Sequence, residues 1–259
     1  MLEKLSDLTD QVARSCRILA GTGLTREPAG HVSARIPDSN LVLIKGRGPD
    51  ESPVSYTMPE DLIIVDMDNK LVEGREGLNP PSETSTHTAM YRHRPDVNCT
   101  IHMHPPTVVA FTIAERELLP VIGAYDPAAL AFYFEKVPTF PRSYLISNPE
   151  RGDMLAEVLG QGRICMMRGH GITAVGATVE QATLTTIDFN DLAEMNYRAA
   201  MLGAVHPIPA EDLAEFGNRG GGGQQARPAN APARPVQRGF NSRWRYYDRA
   251  VSLKAGLEH

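Results

Sequence analysis

The sequence predicts an α/β fold, from short β-branched runs, stretches with helical apolar spacing, and proline or glycine stops between them. Leu5, Leu8, Val12, Cys16 and Leu19 recur at helical spacing, so residues 3–20 read as an amphipathic helix ended by Gly21 and Gly23. Leu41–Ile44 and Leu62–Val65 read as strands, and a turn over 66–69 leads to a short strand at 70–72. Pro80 and Pro81 introduce a helix over 83–93, with Ser82 as its expected N-cap. It stops at Arg94-Pro95, because the residue before proline avoids the α region. Val97–His104 reads as a strand, closed by Pro105-Pro106, and a helix follows over 108–114. Residues 163–167 and 172–175 read as two strands joined by Arg168-Gly169-His170-Gly171. Thr178 to Gln181 matches a capping box, in which each end satisfies a backbone N–H near the other, and opens a helix to Leu202.

The bulk numbers exclude several classes. The 259 residues suffice for one large domain or two small ones, and 42% apolar content supports a buried core. A net charge of −5 argues against a nucleic-acid partner, which calls for a basic stripe. No run of about 18 apolar residues exists to span a membrane. Met1–Leu19 is amphipathic and mixed in charge, unlike a signal peptide. Cys16, Cys99 and Cys165 are widely spaced without a Cys-x-x-Cys pair, which suits buried thiols in a reducing cytoplasm.

Strand alternation puts Val97, Cys99, Ile101 and Met103 on one face and Asn98, Thr100, His102 and His104 on the other. Two imidazoles on one face, at the end of a strand, can share one ion. His170 lies in a glycine-flanked turn, where the backbone can bend sharply and a ligand can come close. Glu83 stands at a helix start, where the carboxylate form is favoured. Three imidazoles leave a coordination position open, the mark of a catalytic site. His87, His93, His206 and His259 are read as structural or exposed.

Ser82-Glu83, His102-Met103-His104 and Gly169-His170-Gly171 together resemble the class II aldolase/adducin family. Nineteen positions separate Glu83 from His102, and Arg94-Pro95-Asp96-Val97-Asn98 precedes the strand, as in that family. The resemblance covers roughly residues 5–205. It implies a three-layer α/β/α sandwich with a central, mainly antiparallel sheet. It also implies a homotetramer with active sites between subunits, and a divalent metal on His102, His104 and His170. Zinc is the expected metal, with manganese, iron or cobalt as alternatives, and Glu83 is the expected acid/base. Residues 1–210 then form the catalytic domain. Residues 211–239 form a linker, richest in glycine and proline from Arg219 on. An aromatic tail over 240–256 docks on the body or on a neighbouring subunit, and residues 257–259 look like the start of a tag.

The chain departs from the phosphosugar members in one turn. They carry Gly-Asn-x-Ser, and here the residues are Gly30-His31-Val32-Ser33. They also tend to place two serines before the glutamate, where this chain has Pro81 and Ser82. The turn looks like that of members that decarboxylate aromatic hydroxy-acids. Lys45-Gly46-Arg47-Gly48 is similar in placement to their substrate loop; Arg47 either grips a carboxylate or belongs to an exposed basic loop. The expected substrate contacts are therefore His31, Ser33, Lys45, Arg47, Ser82 and Tyr125, with Tyr246 and Tyr247 as further wall candidates. The resulting expectation is a cytoplasmic carbon–carbon lyase that decarboxylates an aromatic hydroxy-(di)carboxylic acid without oxidation. The alternatives are an aldolase acting on a sugar phosphate or hydroxy-ketone, an iron-dependent oxygenase, and a non-enzymatic adducin-like module.

Overall fold

A computed structural model describes residues 2–27, 29–218 and 238–255. One eight-stranded sheet carries the fold, with strands ordered β4-β3-β2-β1-β5-β8-β7-β6. The strands are β1 (His31–Arg35), β2 (Leu41–Lys45), β3 (Leu62–Asp66), β4 (Leu71–Glu73), β5 (Cys99–Met103), β6 (Thr139–Phe140), β7 (Ile164–Met167) and β8 (Gly171–Gly176). Every neighbouring pair is antiparallel except β6 with β7.

Helices cover both faces. One face packs on α1 (Leu2–Gly21), α3 (Pro106–Ala114), α4 (Pro127–Glu135), α6 (Val179–Leu202) and α8 (Arg238–Ala255). The other packs on α2 (Thr84–His93) and α5 (Pro149–Leu159). The three layers follow from period-two alternation in the strands. Val32, Ala34, Cys99, Ile101, Met103, Ile172 and Ala174 face the α1/α6 layer. His31, Ser33, Thr100, His102 and Thr173 alternate with them and face α2, still fully or almost fully buried. Val97 departs from the expected alternation and joins the α2/α5 core, because the strand starts only at Cys99.

Local chemistry accounts for most element ends. Thr178 accepts the N–H of Gln181, while the Gln181 side chain reaches back to Ala177 N–H rather than to the cap itself. Asn148 caps α5 by accepting Arg151 N–H, with Pro149 at the first helical position. The cap of α2 differs from expectation. Ser82 is exposed and lies outside the cap, which is Glu83. The Thr84 hydroxyl donates to Pro81 O at 2.6 Å and closes that turn.

Residues 211–218, expected within the linker, are helical instead: Ala210–Asn218 form α7, and its Phe216 lies beside Gly123. The tag-like residues 257–259 and the Gly/Pro stretch 219–237 lie outside the described residues. Helix α8 packs on α1 and α6, with Val251 buried against Gly21 and with Trp244 and Tyr247 on the core. The Arg243 guanidinium pairs with Asp188, and Arg14 with Asp248 at 2.8 Å. Among the described residues no helix is long and apolar enough to cross a membrane.

Candidate metal centre

The sheet register assembles the site. In β5, His102 faces α2 and pairs across β1 with His31. On the other side it pairs with Thr173 of β8. His104 follows directly after β5, and His170 directly precedes β8. Antiparallel pairing of β5 with β8 therefore brings residues remote in sequence to one end of these two central strands. Gly169 (φ +61°) allows the reversal that presents His170. Gly171 is required for a different reason: a Cβ there would lie 2.3 Å from Met103 O and 2.8 Å from the His104 ring.

Glu83, His102, His104 and His170 offer ligand atoms that all lie within 4.8 Å of one another. The Nε2 atoms of His102 and His104 are 3.0 Å apart. Glu83 Oε2 stands 3.4 Å from Nε2 of both His102 and His170. Its other oxygen accepts the N–H of Ile146 at 2.8 Å, which fixes the carboxylate plane.

The donor chemistry fits a cation. His102 Nδ1 lies 2.9 Å from Ile172 O. A carbonyl only accepts, so Nδ1 carries the proton and Nε2 presents its lone pair. Burial opposes ionisation of Glu83, but the His102 and His170 rings outweigh it and hold the carboxyl below the usual range. Burial, then His102 and His170, push His104 down to about 3, so its ring is neutral at pH 7. Nitrogen and carboxylate oxygen at this range repel each other unless a positive charge, a ring proton or a cation, lies between them. Three imidazoles and a carboxylate suit a borderline divalent ion.

The Class II Aldolase and Adducin N-terminal domain matches residues 10–197. The chain belongs to the class II aldolase and adducin family. The 3,4-dihydroxyphthalate decarboxylase of Arthrobacter keyseri is 35% identical over 216 residues, 82% of this chain and 87% of the relative. An L-fuculose 1-phosphate aldolase from Glaciozyma antarctica PI12 superposes with a TM-score of 0.76 at 20% identity, covering 97% of this chain and 90% of that one. An aldolase II superfamily protein from Pseudomonas syringae superposes with a TM-score of 0.78 at 20% identity, covering 96% and 93%. The expected three-layer fold is thus that of the family, and the chain is a lyase-type enzyme.

Around this class II aldolase centre the expected substrate contacts separate. His31 is close: its ring stacks on His102 with centroids 5.6 Å apart. Ser33 is one layer behind, fully buried, and bonded to His87 and Tyr91 rather than open to a ligand. Lys45 pairs with Leu62 and so points to the α1 layer, away from the histidines; its ammonium meets Glu51 at 3.3 Å. Arg47 stays near the site, where its charge bears on His104. Its Nε is held by Glu51 at 2.8 Å, while its backbone pairs with Asn79 next to the Pro80-Pro81 entry to α2. Ser82 is exposed, and Tyr125 is 82% exposed at the start of α4, with no described contact to the histidines. Tyr246 and Tyr247 lie on α8, across the sheet from the cluster of their own chain.

His87, read from sequence as structural or exposed, is fully buried beside the site. Its Nε2 lies 3.3 Å from His31 Nδ1 and its Nδ1 lies 2.7 Å from Ser33 Oγ. Glu83, His87 and Tyr91 are spaced four apart, on one face of α2, and that spacing was the available signal.

Proposed function

We propose that this protein is a divalent-metal-dependent decarboxylase of an aromatic hydroxy-(di)carboxylic acid, with zinc on His102, His104 and His170. The observation that carries the reading is the meeting of three imidazoles and one ionised carboxylate in a chain 35% identical to a 3,4-dihydroxyphthalate decarboxylase. A divalent ion held there supplies Lewis-acid stabilisation for the electron pair released when a carbon–carbon bond breaks. His102 is oriented by Ile172 O, and Glu83 by Ile146 N–H.

Because Glu83 rests as the carboxylate, it cannot begin as the proton donor. It acts first as a base, taking the proton of a ring hydroxyl on Oε2. Glu83 then delivers that proton to the ring carbon that bears the carboxylate, and carbon dioxide leaves as the ring-carbon–carboxylate bond breaks, its electron pair restoring the aromatic phenolate. The ring oxygen regains its proton from water when product leaves. His31 supplies a hydrogen bond to substrate from beside His102. Arg47 serves as a carboxylate contact only if substrate draws it from Glu51.

Completion of the pocket by a second copy, in a homotetramer, is supported by exposed apolar residues near the site. Ile113, beside the Gly169 turn, is 65% exposed, and Leu145, next to Ile146, is 53% exposed. The place of action in this reading is the cytoplasm; the three buried, unpaired cysteines suit it.

The test is incubation with 3,4-dihydroxyphthalate, scoring carbon dioxide. Stoichiometric release, abolished by a chelator and restored by zinc, is expected. The family match keeps aldol cleavage as the second reading, since it needs the same charge stabilisation. Aldehyde release from a sugar phosphate, with no carbon dioxide from the diacid, would favour it. Oxygen uptake would point to the iron-dependent alternative, and a metal-free, inactive protein to the adducin-like one.

A further inference from the structure

We propose that Lys45 and Glu51 form a buried counter-charge seat for Arg47, which holds the guanidinium at rest and yields it to the second carboxylate of a diacid. The substrate class rests on the decarboxylase reading. The seat itself concerns anion binding and is tested without turnover.

The loop that carries Arg47 is built against the entry to α2. Arg47 N–H donates to Asn79 O at 2.9 Å, and Asn79 N–H donates back to Arg47 O at 2.7 Å. A Cβ on Gly48 would lie 2.1 Å from Gly77 O, and one on Gly46 would crowd Ile63 and Leu78 at 3.1 Å. The backbone on both sides of Arg47 is therefore pinned, and any movement belongs to its side chain. Strand β2 runs antiparallel to β1, and β1 to β5, so Arg47 follows β2 at the sheet end where His31 and His102 lie. Its charge reaches His104.

Two cations share one oxygen. Glu51 Oε2 lies 2.8 Å from Arg47 Nε and 3.3 Å from Lys45 Nζ. The Lys45 side chain is 0% exposed, that of Glu51 14% and that of Arg47 36%. The seat is thus sealed at the back and open to solvent at the front. Taking one partner from a buried ion pair leaves an uncompensated charge and is strongly unfavourable. With Arg47 as its sole cation, Glu51 could not release it without that cost. Lys45 removes the cost. When Arg47 leaves, Glu51 keeps the ammonium, and Arg47 gains a substrate carboxylate. All three groups are paired before and after. A buried lysine that faces away from the histidines acts on the site in this way, through Glu51.

Arg47 suits the carboxylate that stays on the ring. The leaving carboxylate loses its charge as carbon dioxide forms. A guanidinium bound to it would stabilise the ground state more than the transition state. The retained carboxylate keeps its charge throughout, and a bidentate grip on it holds the ring in place for proton delivery. The seat therefore selects a diacid over a monoacid.

Calorimetric titration of the zinc-loaded full chain with 3-hydroxyphthalate and with salicylate tests this. Both ligands offer the metal a hydroxyl beside a carboxylate, and they differ only in the second carboxylate. Wild type should bind the diacid about tenfold or more tightly, the usual contribution of one hydrogen bond between charged groups. Lys45→Met should erase most of that preference, because Glu51 then keeps Arg47. Lys45→Met/Glu51→Gln, which removes the seat and leaves Arg47, should restore it. A merely structural role for Lys45 would weaken both ligands alike, and the second substitution would not bring the preference back. That pattern, or a wild type with no preference for the diacid, overturns the proposal. If Lys45→Met does not fold, a crystal structure of the wild type with 3-hydroxyphthalate decides. Arg47 should sit on the second carboxylate with Lys45 still on Glu51, and Arg47 still held by Glu51 overturns the proposal. Should the wild type release no carbon dioxide from 3,4-dihydroxyphthalate, the decarboxylase reading fails, and the seat still stands or falls on the titrations.

Discussion

The two faces of strands β1, β5 and β8 are almost equally buried and chemically opposite. Toward α1 and α6 lie Val32, Ala34, Ile101, Met103, Ile172 and Ala174. Toward α2 lie His31, Ser33, Thr100, His102 and Thr173. The first face is held by apolar burial and close packing. The second removes a row of polar groups from water, at a cost that must be offset by hydrogen bonds. Most find them; Thr100 Oγ1 and His170 Nδ1 are buried without a partner among the described residues. A protein that accepts this burden on one face only is using that face for something other than stability.

Adjacent residues of β5 should therefore fail in different ways. His102→Ala should reduce turnover at least about a thousandfold and remove the metal, since the charge stabilisation is worth several kcal/mol. Activity and metal analysis together check it. Glu83→Gln should lower kcat by about 10²–10⁴ and leave the metal in place, as expected for a lost acid/base. A Glu83→Gln enzyme with full activity would remove Glu83 from the mechanism. Ile101→Ala, one residue from His102 but on the other face, should cost about 2–5 kcal/mol in denaturant unfolding. Its metal content, in the fraction that stays folded, should be normal.

The smallest effect concerns pH. Burial, then the neighbouring His102, push His87 down to about 3 from 6.5. The unfolded chain therefore binds more protons than the folded one between these values. Stability contributed by neutral His87 is complete above about pH 6.5 and is lost as pH falls toward 3, by at most ~1.4 kcal/mol per pH unit. The loss of stability between pH 7.5 and 5.5 should be about 1 kcal/mol smaller in His87→Gln than in the wild type, as unfolding curves at the two pH values would show.

The same contrast explains what could be read from the chain. The apolar face announces itself: Cys99, Ile101 and Met103 alternate, and that alternation also placed His102 on the opposite face. Strand β1 was harder. His31 and Ser33 interrupt its apolar pattern, so Gly30-His31-Val32-Ser33 reads as a turn although His31–Arg35 form a strand. The interruption is the functional face itself. The cap of α2 was misplaced for a related reason. Glu83 occupies the cap position, but its carboxylate is spent on Ile146 N–H and the histidines, not on its own helix. Lys45 and Arg47 read as one substrate loop, yet strand geometry sends Lys45 to the α1 layer, and Glu51 pairs with both. Helix α5 carries legible signals in Asn148, Pro149 and the spacing of Leu155 and Leu159.

The central claim is a divalent ion shared by His102, His104 and His170 beside Glu83. An anomalous-scattering map from crystals grown with zinc, collected on both sides of the zinc edge, measures it directly. One peak per chain is expected, within bonding distance of all three Nε2 atoms. A peak elsewhere, or none at these rings in fully folded protein, would contradict it.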